Sequence, residues 1–463
     1  MGLTLTNINT LSLLNILNRT SADQSNVLTR LSTGSRINSG KDDPAGLIAM
    51  RSLDTELTAV NSALVNNQRT DSMLSVADSA LDEVASLVNE IESLAVASAN
   101  QDGLSADEIA ANQAQVDNAL AAIDRIIGTT EFNGKKLLDG SFGINSSGVD
   151  ATKITDLKVF SRVTDNTDLT VSVTGAASQA AFTLATTSAS SDTTISVQGK
   201  DGTATFDITA GENLSAIAAK INAATAQTGV TASATGTNLT LLSSDYGSSA
   251  FVRVTVISGD TSNINAGNDY GVDASVTVNG QTAAVDGLDV SYQANGVSVS
   301  FSLTAGYNNG TVTGDETFTI TDGGATFQLG TESTTRSTIG IDGLYTQQLG
   351  SAAKGFLQSL RGGGTNSLVN NPNQAAAIAR EAAKQVAKVQ GRLGGFQKFQ
   401  VQSAINQQTA TKESLTSAIS TIKDADYAVE TAELNRQNVL LQSSISLLGL
   451  ANQQSSQILA LLR

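Results

Sequence analysis

The sequence predicts mainly α terminal regions, a long helical coiled-coil bundle from both chain ends, with an inserted β-rich (α+β) central region. Three observations carry that prediction. A seven-residue apolar series runs from Leu53 to Ala95, apolar seams lie near both chain ends, and helical periodicity gives way to period two between about Gly140 and Thr335. A chain of 463 residues is long enough for roughly three domains.

At the start of the chain, Leu14, Leu17, Leu28 and Leu31 mark a heptad-like seam, interrupted by Ser21 and Gln24. Alone it reads as an ordinary amphipathic helix; with a matching seam at the other end it reads as half of a two-helix coiled coil. A second helix is expected over 45–99. Pro44 suits its first turn, where a missing N–H costs nothing. Leu53, Val60, Leu74, Leu81, Val88 and Ala95 share one seven-residue series, Asn67 is its polar exception, and Val84 and Ile91 add an adjacent row. Such a helix spans roughly 80 Å, far above the globular mean, and belongs to bundles, spikes and fibres. A third helix opens at Ser105 with Glu108 completing a capping box. It carries Ile109, Val116, Leu120, Ile123 and Ile127 and stops at Gly128; Asn133-Gly134 then marks a hairpin turn.

In the middle, Leu169, Val171 and Val173 alternate with threonine and serine, as do Val297, Val299, Phe301 and Leu303. Asn279-Gly280, Asn295-Gly296 and Asp322-Gly323 mark turns between such runs. Leu214, Ile217 and Ile221 make one helical break. This stretch holds 18 acidic and 6 basic residues, so most of the net charge of −16 sits here, on a solvated face. Helical pattern returns near Ser337 and clearly from Asn373, with Val386, Val389, Leu393 and Phe396 in phase and Gly394-Gly395 a local weakness.

The closing stretch repeats Leu434, Leu441 and Leu448 at seven-residue steps, with Ile445 four after Leu441, and stays apolar through Leu459 and Leu462. Neither helical end has a second layer of its own, so the two are expected to pack together. Leu440 and Leu447, one position off the main series, are expected to face neighbouring molecules. The expected divisions are 1–44 and 424–463 for an inner core, 45–140 and 337–423 for an outer tube, and two surface domains, 141–262 and 263–336.

Composition excludes several functions. The acidic balance, 43 against 27, disfavours nucleic acid. Without histidine or cysteine the chain lacks the commonest general base, thiolate chemistry and the usual zinc ligands, so neither an enzyme nor a cofactor or metal is expected. No run of about 18 apolar residues predicts membrane insertion, and the start lacks the basic and apolar regions of a cleaved secretion signal. Lys41-Asp42-Asp43 reads as a helix-capping loop rather than a catalytic pair. Gly362-Gly363-Gly364 reads as a linker, lacking the Lys-Ser/Thr of a phosphate loop. The Asp/Asn-rich stretch 265–273 lacks calcium-loop spacing.

The run Arg30-Leu31-Ser32-Thr33-Gly34-Ser35-Arg36-Ile37-Asn38-Ser39-Gly40-Lys41-Asp42-Asp43-Pro44-Ala45-Gly46 strongly resembles the N-terminal signature of bacterial flagellins. Leu94-Ala95-Val96-Ala97-Ser98-Ala99-Asn100 and Phe132-Asn133-Gly134 resemble further flagellin motifs. Ile422-Lys423-Asp424-Ala425-Asp426-Tyr427-Ala428-Val429-Glu430 and Leu461-Leu462-Arg463 resemble the family's C-terminal pattern. The resemblance covers about 1–140 and 340–463; within the insert, 211–256 resembles the flagellin and hook module named for its Ile-Asn pair, here Ile221-Asn222. It implies a subunit secreted through the flagellar export apparatus and assembled outside the bacterium into a helical homo-oligomeric filament for swimming. Implied partners are an export chaperone at the C-terminal helix, the filament cap and the hook-junction proteins. The implied assembly residues are Leu14, Leu17, Leu28, Leu31, Leu434, Leu440, Leu441, Ile445, Leu447, Leu448, Leu459 and Leu462. Many flagellins are recognised by an innate immune receptor on the surface that includes Leu94. Here Glu90 and Glu92 stand where arginines are usual and Gln115 replaces an acidic residue, so weak recognition is implied. A zinc protease carried by some inserts is excluded by the missing histidines. A hook–filament junction protein, or a filament displaying a glycan-binding insert with Tyr246, Tyr270, Tyr292 and Tyr307 as stacking candidates, are the alternatives.

Overall fold

The computed structural model describes residues 8–100, 103–162, 167–185, 188–236 and 238–461, with side chains for all but 8–9, 185 and 455–461. Helices enclose a strand-rich middle in sequence order: α1 (Ile8–Thr33), α2 (Pro44–Ser98), α3 (Ala106–Thr129), α4 (Leu214–Ala223), α5 (Pro372–Phe396), α6 (Gln402–Lys423) and α7 (Tyr427–Leu461). Two compact units result. One comprises the chain through Asn66, Gly330–Ser333 and Ser403 onward; the other comprises Asn67–Leu329 and Thr334–Gln402. The unit boundaries thus fall at 66/67 and 402/403. The expected divisions at 44/45 and 423/424 instead coincide with helix ends.

Helix α2 runs for 55 residues without a break. Its buried face reads Val60, Ala63, Asn67, Thr70, Leu74, Ala77, Leu81, Val84, Val88, Ile91, Ala95 and Ser98, alternating steps of three and four. That spacing keeps one stripe facing inward along a long helix. Helix α5 lies antiparallel to it, because Arg380 pairs with Glu92 (2.8 Å), Gln390 donates to Asp82 (2.7 Å) and Gln397 donates to Asp71 (2.8 Å). Val386, Val389 and Leu393 of α5 are buried as expected, and Phe396 packs on Phe327 with ring centroids 5.8 Å apart. The glycines 394 and 395 do not stop the helix; a π-helical turn at Gln397–Val401 follows and the backbone stays right-handed into α6. A single π-helical turn inside a continuing helix is the usual form of such a bulge.

Asn67 is the polar exception on α2, and it is fully buried. Its Nδ2 donates to the Leu329 carbonyl (2.9 Å) at the end of the strand Ala325–Gln328. Helix α3 starts with the expected capping box. Its Gln113, Asp117 and Asp124 then hold the 344–368 segment: Gln113 bonds the Leu360 carbonyl and the Leu368 N–H, Asp117 takes the Gly362 N–H, and Asp124 takes Thr346 and Arg361. The triple glycine is therefore a pinned turn.

The insert forms two hydrophobic cores. In the first, strand Thr167–Gly175 pairs antiparallel with both Ser275–Val278 and Glu316–Gly323, opposite a sheet ordered Ala284–Asp286, Asp289–Ala294, Val297–Leu303, Ile154–Ser161. Leu169, Val171, Val299, Phe301 and Phe318 fill the space between. The second core, from Ala180 to Ile264, is covered by α4. The expected sequential split at 262/263 is corrected to nesting. The reason is pairing: strands before and after the second body share one sheet, so the second body is threaded between them. Ile221 fills that second core, while Asn222 exchanges both amide atoms with the backbone of Ala232 (2.7 and 2.9 Å).

Asp260 closes the second body. Its carboxylate accepts from the Ser190 hydroxyl and N–H (both 2.7 Å), the Ser262 N–H (2.8 Å) and the Asn263 amide (2.8 Å). Those donors, the Ser190 hydroxyl first, hold its pKa far below the carboxylate range. A depressed folded-state value stabilises fully above the unfolded pKa, about 4, and the contribution is lost as pH falls through the folded value. Asp260→Asn is therefore expected to lower the insert's unfolding midpoint near neutral pH, with the difference shrinking in strong acid. Thermal melts across pH check both the sign and the convergence.

Candidate assembly interface

Helices α1 and α7 pair antiparallel. Tyr427 donates its hydroxyl to the Leu31 carbonyl (2.7 Å), Arg30 reaches Glu430 (3.4 Å), and Gln24 bonds Asn438 (2.6 Å), so numbers fall on one helix as they rise on the other. On α1 the inward residues are Leu13, Leu17, Thr20, Gln24, Val27 and Leu31; on α7 they are Glu430, Leu434, Gln437, Leu441, Ser444 and Leu448. Both sets alternate steps of three and four. The seam is mixed rather than oily. Polar layers are bonded in place, with Gln437 donating to Glu433 (2.7 Å) and Glu430 facing Arg30. Buried polar groups of this kind fix register at some expense of stability.

Of the residues expected in the seam, Leu17, Leu31, Leu434, Leu441 and Leu448 lie in it. Leu14, Leu28 and Ile445 do not: they are 39%, 49% and 54% exposed and point outward. The seam instead takes Leu13, Val27 and Ser444, one position earlier in each case. Counting leucines alone picks the wrong partner in Leu13-Leu14 and Val27-Leu28, and a serine in a helical hole leaves no hydropathy signal. The alternation of three and four through Thr20, Gln24 and Gln437 was the signal available. Leu440 and Leu447 point outward, together with Leu11, Ile16, Val439 and Leu450. Leu462 lies outside the described residues, as does the side chain of Leu459.

The open end of the pair is clasped by backbone. Gly34 ends α1 at φ +69°, its N–H returning to the Arg30 carbonyl (2.8 Å) while its own carbonyl accepts from Ala425 (2.9 Å). Arg36 donates its N–H to the Lys423 carbonyl (2.6 Å) and its guanidinium to that of Ile422 (2.9 Å). Asp42 then caps the N–H groups of Asn38 and Ser39, and Asp43 that of Gly46, at the start of α2. These acidic residues are spoken for by backbone, and their role is a turn between helices. Among the described residues no group of acidic side chains could hold a metal ion.

The same chain segments have known counterparts. Residues 4–143 match the bacterial flagellin N-terminal helical region, 376–462 the bacterial flagellin C-terminal helical region, and 194–246 the flagellin hook IN motif. The chain belongs to the flagellin family. It is 28% identical over 496 residues to a flagellin of Salmonella typhimurium, with 99% of each chain covered. It is 29% identical over 527 residues to the B-type flagellin of Pseudomonas aeruginosa, with both chains covered in full, and 26% identical over 508 residues to flagellin A of Helicobacter pylori, with 94% of each covered. Full-length similarity to flagellins supports a filament subunit over a junction protein.

Within this flagellin, Glu90 and Gln115 are exposed, Leu94 is half-buried, and Glu92 is engaged by Arg380. The four tyrosines named as stacking candidates form no exposed stacking face, three of them lying in or against the first insert core. Tyr292 and Tyr307 are buried with bonded hydroxyls, Tyr246 is half-buried, and Tyr270 is exposed against Phe251. The clasp can be tested directly. Gly34→Ala forces a side chain into the left-handed region, costing about 1 kcal/mol. A lower thermal dissociation midpoint of the assembled protein is the expected result, and an unchanged midpoint contradicts the clasp.

Proposed function

We propose that this flagellin polymerises by covering the outward apolar faces of α1 and α7 with the same faces of neighbouring subunits. The observation that carries the reading is the double-sided apolar character of both terminal helices. One side meets the partner helix, while Leu14, Leu28, Leu440, Ile445 and Leu447 stay 39–54% exposed on the other. An exposed apolar band of this kind marks an interaction site, and a heterologous contact that does not close builds a helical polymer. The chain then acts without catalysis, as an extracellular structural element for swimming. A cytoplasmic chaperone covering α7 before export, and the cap and hook-junction proteins at the two ends of the polymer, fit the same exposed faces. Removing residues 434–463 is expected to abolish filaments while the insert keeps its cooperative unfolding transition. Filaments seen by electron microscopy with that truncation would refute the reading.

Immune recognition follows from charge. Among the described residues Glu90 makes no ion pair and Glu92 pairs with Arg380, at positions where the flagellin resemblance implies arginines, and reversing charge on a recognition surface lowers both on-rate and specificity. Reporter cells carrying the flagellin-sensing Toll-like receptor are expected to respond weakly. A response as strong as that to the Salmonella typhimurium flagellin contradicts this.

A further inference from the structure

Four Asn–Gly pairs occur in the chain: Asn133-Gly134, Asn279-Gly280, Asn295-Gly296 and Asn309-Gly310. Glycine offers no Cβ to hinder its own nitrogen, so these are the positions where backbone can attack an asparagine side chain. All four asparagines are exposed. Asn133, Asn279 and Asn295 have φ of 53°, 50° and 52°, and their glycines 75°, 77° and 76°, the paired left-handed conformation of a tight hairpin turn. Sequence and backbone therefore make the first three nearly equivalent.

Their side chains are not equivalent. Asn279 is held at both ends, Oδ1 accepting from the Thr170 N–H (2.8 Å) and Nδ2 donating to the Asp168 carbonyl (3.2 Å). Asn309 Oδ1 accepts from the Thr311 N–H (3.0 Å) and hydroxyl (2.6 Å). The side chains of Asn133 and Asn295 make no hydrogen bond among the described residues. We infer that Asn133 and Asn295 are spontaneous deamidation sites of the folded protein, and that Asn279 and Asn309 are protected by their anchors.

The chemistry needs only water. The glycine nitrogen gives up its proton to solvent and attacks Cγ of the asparagine. The new N–Cγ bond closes a succinimide as the Cγ–Nδ2 bond breaks and ammonia leaves. Water then adds to one of the two ring carbonyls, opening the ring to aspartate or isoaspartate with no oxidation or reduction. For Asn279 and Asn309 the amide must first leave two hydrogen bonds, which slows the attack roughly tenfold or more. At Asn133 and Asn295 no side-chain hydrogen bond has to be broken, and the turn conformation to be left is the one Asn279 shares. Each conversion adds one negative charge. The isoaspartate form also inserts a methylene into a two-residue loop, between Phe132 and Lys135 or between Ala294 and Val297, whose pairing sets the hairpin register.

The test is a time course of the purified full-length protein in mildly alkaline buffer, followed by peptide mapping that resolves asparagine, aspartate and isoaspartate. A parallel sample is unfolded in urea. In the folded protein Asn133 and Asn295 should convert roughly tenfold faster than Asn279 and Asn309, and the four rates should converge in urea. Thr311→Ala, which removes one donor from Asn309, should raise the rate at Asn309 and leave Asn133 unchanged. The inference is overturned if Asn279 or Asn309 keeps pace with Asn133 in the folded protein. Failure of Asn133 and Asn295 to convert in the folded state while they convert in urea also overturns it, as does a Thr311→Ala rate equal to wild type.

Discussion

The antiparallel pairing of α1 with α7 is the constraint on which this molecule depends. It ties together two segments some four hundred residues apart, as in the Arg30–Glu430 and Gln24–Asn438 contacts. Everything between them in sequence must leave and return to the same place. The seam is poorly apolar for its length, since Thr20, Gln24, Glu430, Gln437 and Ser444 occupy inward positions. Such a pair has its register fixed by polar contacts but little burial to hold it. The leucines it leaves outside supply the missing burial only when another molecule covers them. Weak pairing within a chain, and the association between chains proposed above, follow from the same distribution of side chains.

The second unit solves a different problem. Its α2 stripe is almost wholly apolar and small, from Leu74 to Ala95, with residues at 0–1% exposure. It is closed by α5 and by a loop pinned to α3 through carboxylates and one amide. Acidic residues here serve backbone N–H groups more than ion pairs. Asp117, Asp124, Asp260 and Asp273 each accept from backbone. Among the described residues the carboxylates form no metal-ligating group; many of them act as turn and loop staples.

Much of this was legible in the sequence. The seven-residue series on α2, the capping box at Ser105 and the period-two runs of the insert are strong because each is written by many residues at once. The seam of α1 lies one position before Leu14 and Leu28, and the leucine pattern does not show it, because polar residues hold its register and hydropathy does not see them. The nesting of the second insert body was not legible, since it depends on pairing between Thr167–Gly175 and strands more than a hundred residues later. Strand partners at that separation leave no local trace. The pinned loop at Gly362 was invisible for the same reason: its anchor, Asp117, lies on a distant helix.

Because the chain contains no cysteine, a single designed pair can report on the seam. Gln24→Cys with Asn438→Cys puts one thiol on each helix at positions whose native side chains reach one another, and mild oxidation of assembled filaments should form that disulfide. The account predicts a bond within one subunit, so that denatured, unreduced filaments run as cross-linked monomers. Covalent dimers and longer ladders would mean that the two terminal helices pair between chains, and thiols left free would mean that they do not pair in this register at all.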